Sequence, residues 1–122
     1  MKGKKKAITH PSGAGSSHQS LRHDLIPREL KDILSRRYTL GAATYGPYAY
    51  RKGLRDRAFI VDRIGHIHEH LNKLFQPLHG DGDSFTDNLG AVGWGIGFLA
   101  EVWADPQGRA ILESMTRSQP DG

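Results

Sequence analysis

The chain has 122 residues, seven histidines, no cysteine and a formal net charge of +4. That length supplies one hydrophobic core and no second one, and the missing thiols exclude disulfides and thiolate metal sites. The most apolar run, from Leu89 to Ala100, is too short and too rich in glycine to span a bilayer, so no membrane partner is expected.

The first stretch, "MKGKKKAITHPSGAGSSHQS", holds the whole charge excess in Lys2, Lys4, Lys5 and Lys6, and no acid precedes Asp24. With no apolar run after its basic residues it does not read as a secretory signal, and a soluble protein is expected. Residues 1–22 read as a disordered or extended basic tail, because Gly, Ser, Lys and Pro offer little to bury. Such a tail either solubilises the protein or contacts nucleic acid or a neighbouring subunit. Residues 23–116 form the domain, and 117–122 are expected to fray.

From Leu25 the pattern becomes helical, with Leu30, Ile33, Leu34 and Tyr38 on one stripe and Pro27 in the first turn. Gly46 and Pro47 predict its stop, and a loop follows. A second helix carries Ile60, Ile64, Ile67, Leu71 and Leu74 at alternating steps of four and three, with Asp56 as cap and Pro77 beyond its end. An acidic glycine-rich turn leads to a third helix from about Asp87 to Trp103, capped by Ser84 or Thr86. Its seam is expected at Leu89, Val92, Ile96, Leu99 and Trp103. Gly90, Gly93, Gly95 and Gly97 each cost about 1 kcal/mol of helix propensity, so they imply either close helix packing or a ligand lying against the helix. Asp105 and Pro106 open a short fourth helix. The fold class that follows is all-α: a small antiparallel bundle of three main helices plus a short C-terminal one.

Chemistry concentrates in two places. On the second helix His66 and His70 lie one turn apart and share a face, while His68 points elsewhere. Asp62 and Glu69 extend this into a polar stripe, and Asp87 opens the third helix where it faces the histidine end of an antiparallel pair. An imidazole pair needs a third ligand to chelate a metal, and is otherwise a solvated face. Asp81 and Asp83 in the turn are oxygen ligands of the kind Mg²⁺ prefers. The loop "YGPYAYRKGLRDR" sets Arg51, Lys52, Arg55 and Arg57 among Tyr45, Tyr48 and Tyr50. Cations beside aromatic faces suit a phosphorylated ligand that carries a base; a basic loop with tyrosines packed on the bundle is the plainer alternative.

Four segments in order, "DLIPRELKDIL", "LGAATYGPYAYRKG", "HIHEHLNKL" and "DNLGAVGWGIGFLAE", resemble the motifs of the phage-type dATP/dGTP diphosphohydrolase-like proteins. Those belong with the MazG-like all-α nucleoside triphosphate pyrophosphohydrolases. The likeness spans about residues 22 to 103. It implies an oligomeric bundle that uses Mg²⁺, or Mn²⁺ in its place, to cleave a purine dNTP to dNMP and pyrophosphate. By the same likeness His66 and His70 match the paired histidines, Asp87 the acidic residue before the last motif, and Gly46, Lys52 and Gly53 the basic loop. The implied metal ligands are Asp87, His66, His70 and Asp62. A histidine (His66 or His70) or Glu69 would take the proton of the attacking water. Tyr45, Tyr50, Arg51 and Lys52 would hold the substrate. The chain departs from the motifs at Ala49-Tyr50, which stand for Asn-Trp, at Asn88 and Ala91, which stand for histidines, and at Gly95, which stands for Asn. Those losses leave a second expectation: an inactive descendant serving as a structural or interaction protein. The first expectation places the protein in the cytoplasm of an infected cell, the second in a virion.

Overall fold

A computed structural model of the chain describes residues 20–76 and 84–117. Four α-helices fill most of them: α1 (Arg28–Tyr45), α2 (Arg57–Lys73), α3 (Phe85–Ala104) and α4 (Pro106–Arg117). Short 3-10 turns lie at His23–Leu25 and Ala49–Gly53, and no strand occurs among the described residues. The all-α bundle expected from periodicity is what forms. Pro77, Asp81, Asp83, the lysine-rich tail to residue 19 and the end from 118 lie outside the described residues. None of the described helices is long and apolar enough to cross a membrane.

Local chemistry sets the helix ends. Pro27 stands just outside α1, with φ −58° and ψ 138°, and its carbonyl accepts from Lys31 N at 3.2 Å. A proline here gives up only an N–H that the first turn would not use. At the other end Gly46 has φ 97°, a positive-φ backbone open to glycine, and its N–H closes the helix on the Ala42 carbonyl at 2.9 Å. The Asp56 carboxylate accepts from Phe59 N at 3.2 Å and caps α2 as expected. Of the two caps expected for α3, Ser84 serves: its Oγ accepts from Asp87 N at 3.1 Å while Asp87 Oδ2 accepts from Ser84 N at 3.2 Å. This reciprocal pair is a capping box, and it starts α3 two residues before Asp87. Asp105 caps α4 by accepting from Gly108 N at 2.9 Å, and it is also ion-paired to Arg55 at 3.0 Å.

The helices α1, α2 and α4 all pack on α3, which is therefore the centre of the bundle. Ile60, Phe98 and Val102 have no exposed surface and form the core. The α3 glycines receive neighbouring side chains: Ile67 fills the space a Cβ would need at Gly95, Leu34 that at Gly93, and Tyr38 that at Gly97. At Gly90 a Cβ would come within 3.2 Å of Ile33, so close packing is what all four glycines serve. The same contacts give the helix directions. Leu34 and Tyr38 climb α3 in step with Gly93 and Gly97, while His70 and Ile67 descend from Asn88 to Gly95. The three main helices run up, down and up.

The expected seam of α3 needs correction. The buried residues are Asn88, Gly90, Ala91, Val92, Gly95, Phe98 and Val102, so only Val92 of the expected set is fully covered. Ile96 is 58% exposed and Trp103 45%. An all-apolar helix offers several stripes, and α1 and α2 approach where glycine and alanine let them come close. The α2 seam holds better: Ile60 is buried, Ile64, Ile67 and Leu74 are half-buried, and only Leu71 is exposed.

Candidate functional site

Because α1 and α2 each rest chiefly on α3, a space opens beside Trp94 between the second half of α1 and the loop after it. It is a cavity of about 810 Å³. Its aromatic walls are Tyr38, Tyr45, Tyr48, Tyr50, Phe59 and Trp94, and its charged groups are Arg37 and Arg63. Among the described residues no carboxylate lines it.

The aromatic wall is held from behind. Trp94 stacks on the core residue Phe98, with ring centroids 5.7 Å apart and planes 3° off parallel. Tyr50 meets Trp94 edge to face at 5.5 Å, and Tyr38 meets Tyr50 at 6.0 Å. These are the geometries that ring quadrupoles favour. The Tyr50 hydroxyl donates to Glu101 Oε2 at 2.5 Å and Arg51 Nε donates to Oε1 at 2.8 Å, so the Glu101 carboxylate is answered on both oxygens. Burial, and then the Glu101 charge, push the Tyr50 phenol up to about 12. Tyr48 takes a left-handed backbone, φ 62°, and lies under the Arg51 guanidinium at 4.3 Å. A bulky residue in that conformation is uncommon, and the cation–π contact helps to hold it at the mouth.

Beyond Arg37, Arg63 and Trp94 lies a smaller recess of about 30 Å³, bounded also by His66, His70, Ile67, Ala91 and Gly95. Asn88 Nδ2 donates to the Ser84 carbonyl at 3.2 Å, which turns Oδ1 toward His70 Nδ1 at 2.8 Å. With the amide oxygen facing the ring, Nδ1 of His70 is the donor of this bond. Thus Asn88, where the resembled motif has histidine, is buried against the second residue of the candidate pair, His70. His66 is 46% exposed at its side chain, with Nε2 3.7 Å from Asp62 and Nδ1 4.0 Å from Glu69.

The structure brings only some of the expected residues together. Tyr45 and Tyr50 share the large cavity, and His66 and His70 share the recess. Arg51 is spent on Glu101 and Tyr48, and Lys52 is exposed, outside both spaces. Asp62 pairs with Arg63 at 2.7 Å, and Glu69 with Lys73 at 3.5 Å. The Asp87 carboxylate is turned back onto Ser84, whose hydrogen bonds hold it below the usual carboxylate range. Among the described residues no three His, Asp or Glu side chains gather to hold a metal ion. Mg²⁺ needs several oxygens converging from facing helices, and the side chains that converge here are guanidinium and imidazole. The described donor set does not fit that ion.

Arg37, Arg63, Tyr38 and Trp94 escaped the reading of the sequence as site residues. A signal for the arginines was present. Arg63 follows Ile60 by three and precedes Ile67 by four, and Arg37 follows Ile33 by four, so both charges stand in register with apolar seams. A lysine or arginine in such a position has its stem on the packed side and its head at an opening. No protein-family model, curated protein or solved structure matches the chain, so its likeness to the dATP/dGTP diphosphohydrolase-like proteins rests on the four motifs alone.

Proposed function

We propose that this chain recognises a nucleoside triphosphate in the aromatic cavity and is a non-hydrolytic counterpart of the pyrophosphohydrolases its motifs resemble. One observation carries the reading: a cavity of about 810 Å³ walled by six aromatic rings and two arginines, with no carboxylate of the described residues on it. Aromatic faces stack any base at about 1–3 kcal/mol each, and guanidinium groups bind phosphate in a bidentate way. The motif likeness directs the choice of ligand to a purine dNTP. The test is equilibrium binding of dATP, dGTP and the pyrimidine dNTPs, with pyrophosphate release measured alongside under Mg²⁺ or Mn²⁺. Purine-selective binding without release supports the proposal, and failure to bind any nucleotide removes it.

One observation favours a second reading, hydrolysis to dNMP and pyrophosphate: His66 sits between the carboxylates of Asp62 and Glu69, a setting suited to a base. Metal-dependent release that collapses in both His66→Ala and Asp87→Ala would establish it in place of the first. Self-association, which the motif likeness implies, belongs to either reading, whether the protein works in an infected cell or within a particle. Light scattering that finds a monomer at working concentration would remove that part.

A further inference from the structure

We infer that Arg37 and Arg63 form a metal-independent binding site for the phosphate of the nucleotide, at the junction between the aromatic cavity and the histidine-lined recess. This rests on the proposed nucleotide recognition and adds how the phosphate is held.

Arg37 comes from α1 and Arg63 from α2, yet both line the large cavity and the recess, as does Trp94 of α3. Two arginines from different helices line both spaces, and no carboxylate of the described residues lines either. Their charges are only partly answered. Arg63 Nη2 reaches Asp62 on its own helix at 2.7 Å, and Asp62 is 58% exposed at its side chain. Arg63 Nε is buried and has no hydrogen-bond partner. A buried N–H without an acceptor is rare and costly; the guanidinium lies 5.2 Å from the centre of the Phe59 ring, and an anion oxygen meets Nε only when the side chain turns toward the opening. Arg37 makes no ion pair among the described residues; Asp87 acts on it only through space. His66 and His70 close the recess, and neither adds negative charge.

The dimensions suit a phosphoryl group entering from the aromatic side. About 30 Å³ admits one or two water-sized atoms, hence phosphate oxygens, while the larger space of about 810 Å³ takes sugar and base. An Arg pair meets phosphate oxygens directly, with fork geometry that a bridging cation would otherwise have to supply. The loop cations expected for this task are engaged elsewhere, since Arg51 is bound to Glu101 at 2.8 Å.

The test measures binding of dATP, deoxyadenosine and inorganic pyrophosphate in EDTA and in Mg²⁺, for the wild type, Arg37→Gln, Arg63→Gln and Arg63→Lys. The expected result is that dATP binds in EDTA well above deoxyadenosine, and pyrophosphate competes with dATP. Each glutamine variant weakens dATP by about tenfold or more and leaves deoxyadenosine within about twofold. Arg63→Lys, which keeps the charge and loses the fork, falls between. Should a glutamine variant fail to fold by circular dichroism, the wild-type comparison in EDTA decides. Binding of dATP that vanishes in EDTA, or that both glutamine variants leave intact, overturns the inference. Equal affinity for dATP and deoxyadenosine overturns it too while leaving aromatic recognition standing. If neither ligand binds, the proposed function falls with it.

Discussion

Toward α2, α3 presents Ala91, Gly95, Phe98 and Val102, and the facing Ile60 and Phe98 have no exposed surface. Toward α1 it presents Gly90, Gly93 and Gly97, yet α1 contains no fully buried residue, and beside it opens the aromatic cavity. The first interface maximises apolar contact and supplies stability. The second brings two helices together at glycines and then leaves space lined with rings and guanidinium groups. An interface that held only for stability would be expected to close that space, because an uncovered apolar wall forgoes burial at about 25 cal/mol per Å².

The largest effect that can test this contrast is loss of the shared core ring. Phe98→Ala is expected to cost about 3–5 kcal/mol in urea unfolding, since it leaves a cavity beneath both Trp94 and Phe59. A cost below about 1 kcal/mol would mean that the α2 side is no better packed than the other. Next come two substitutions of the same type with opposite signs. Gly95→Ala drives a methyl into Ile67 and should destabilise by about 1–3 kcal/mol. Gly41→Ala, on the cavity wall of α1 with nothing within 4 Å of the new Cβ, should stabilise by about 0.5–1 kcal/mol through helix propensity. If both destabilise, the α1 side is as tightly packed as the α2 side. Ser84→Ala removes the first half of the capping box and should lower stability by about 1 kcal/mol.

The smallest expected signals are titrations. The Tyr50 phenol, raised to about 12 from the usual 10, prefers its neutral form in the folded protein. Its contribution to stability is therefore complete below pH 10 and is lost as the pH rises through about 12. Ultraviolet titration should show a tyrosine ionising at about pH 12, and Glu101→Gln should bring it down. Asp87 behaves in the opposite sense. Its folded value lies below the usual 3.8, so its contribution is present above pH 3.8 and fades as the pH falls through the depressed value. Asp87→Asn should flatten that acid limb of the melting-temperature profile.

Much of the helical architecture was legible in the chain because its signals are local. Pro27, Gly46, Asp56, Ser84 and Asp105 act within one turn of themselves, through a missing donor, a positive φ or a carboxylate or hydroxyl on an N–H. Spacing placed the α2 seam for the same reason. The site was legible only in part. Tyr45, Tyr50, His66 and His70 do line openings, whereas the basic loop's Arg51 is bound to a glutamate 50 residues away, which no local pattern could announce.

The sequence by itself determined that this is an all-α chain, which stretches of it are helical, and that α3 carries small residues where neighbours can come close. Only the tertiary structure decided which stripe of α3 is buried, because a helix apolar on every side has no single preferred face. It also decided that Arg37 and Arg63, 26 positions apart in the chain, share one cavity while Asp62, Glu69 and Asp87 do not. Convergence of charges from different helices depends on how the helices cross, and that is fixed by packing at Gly90, Gly93 and Gly95 rather than by the charged residues themselves.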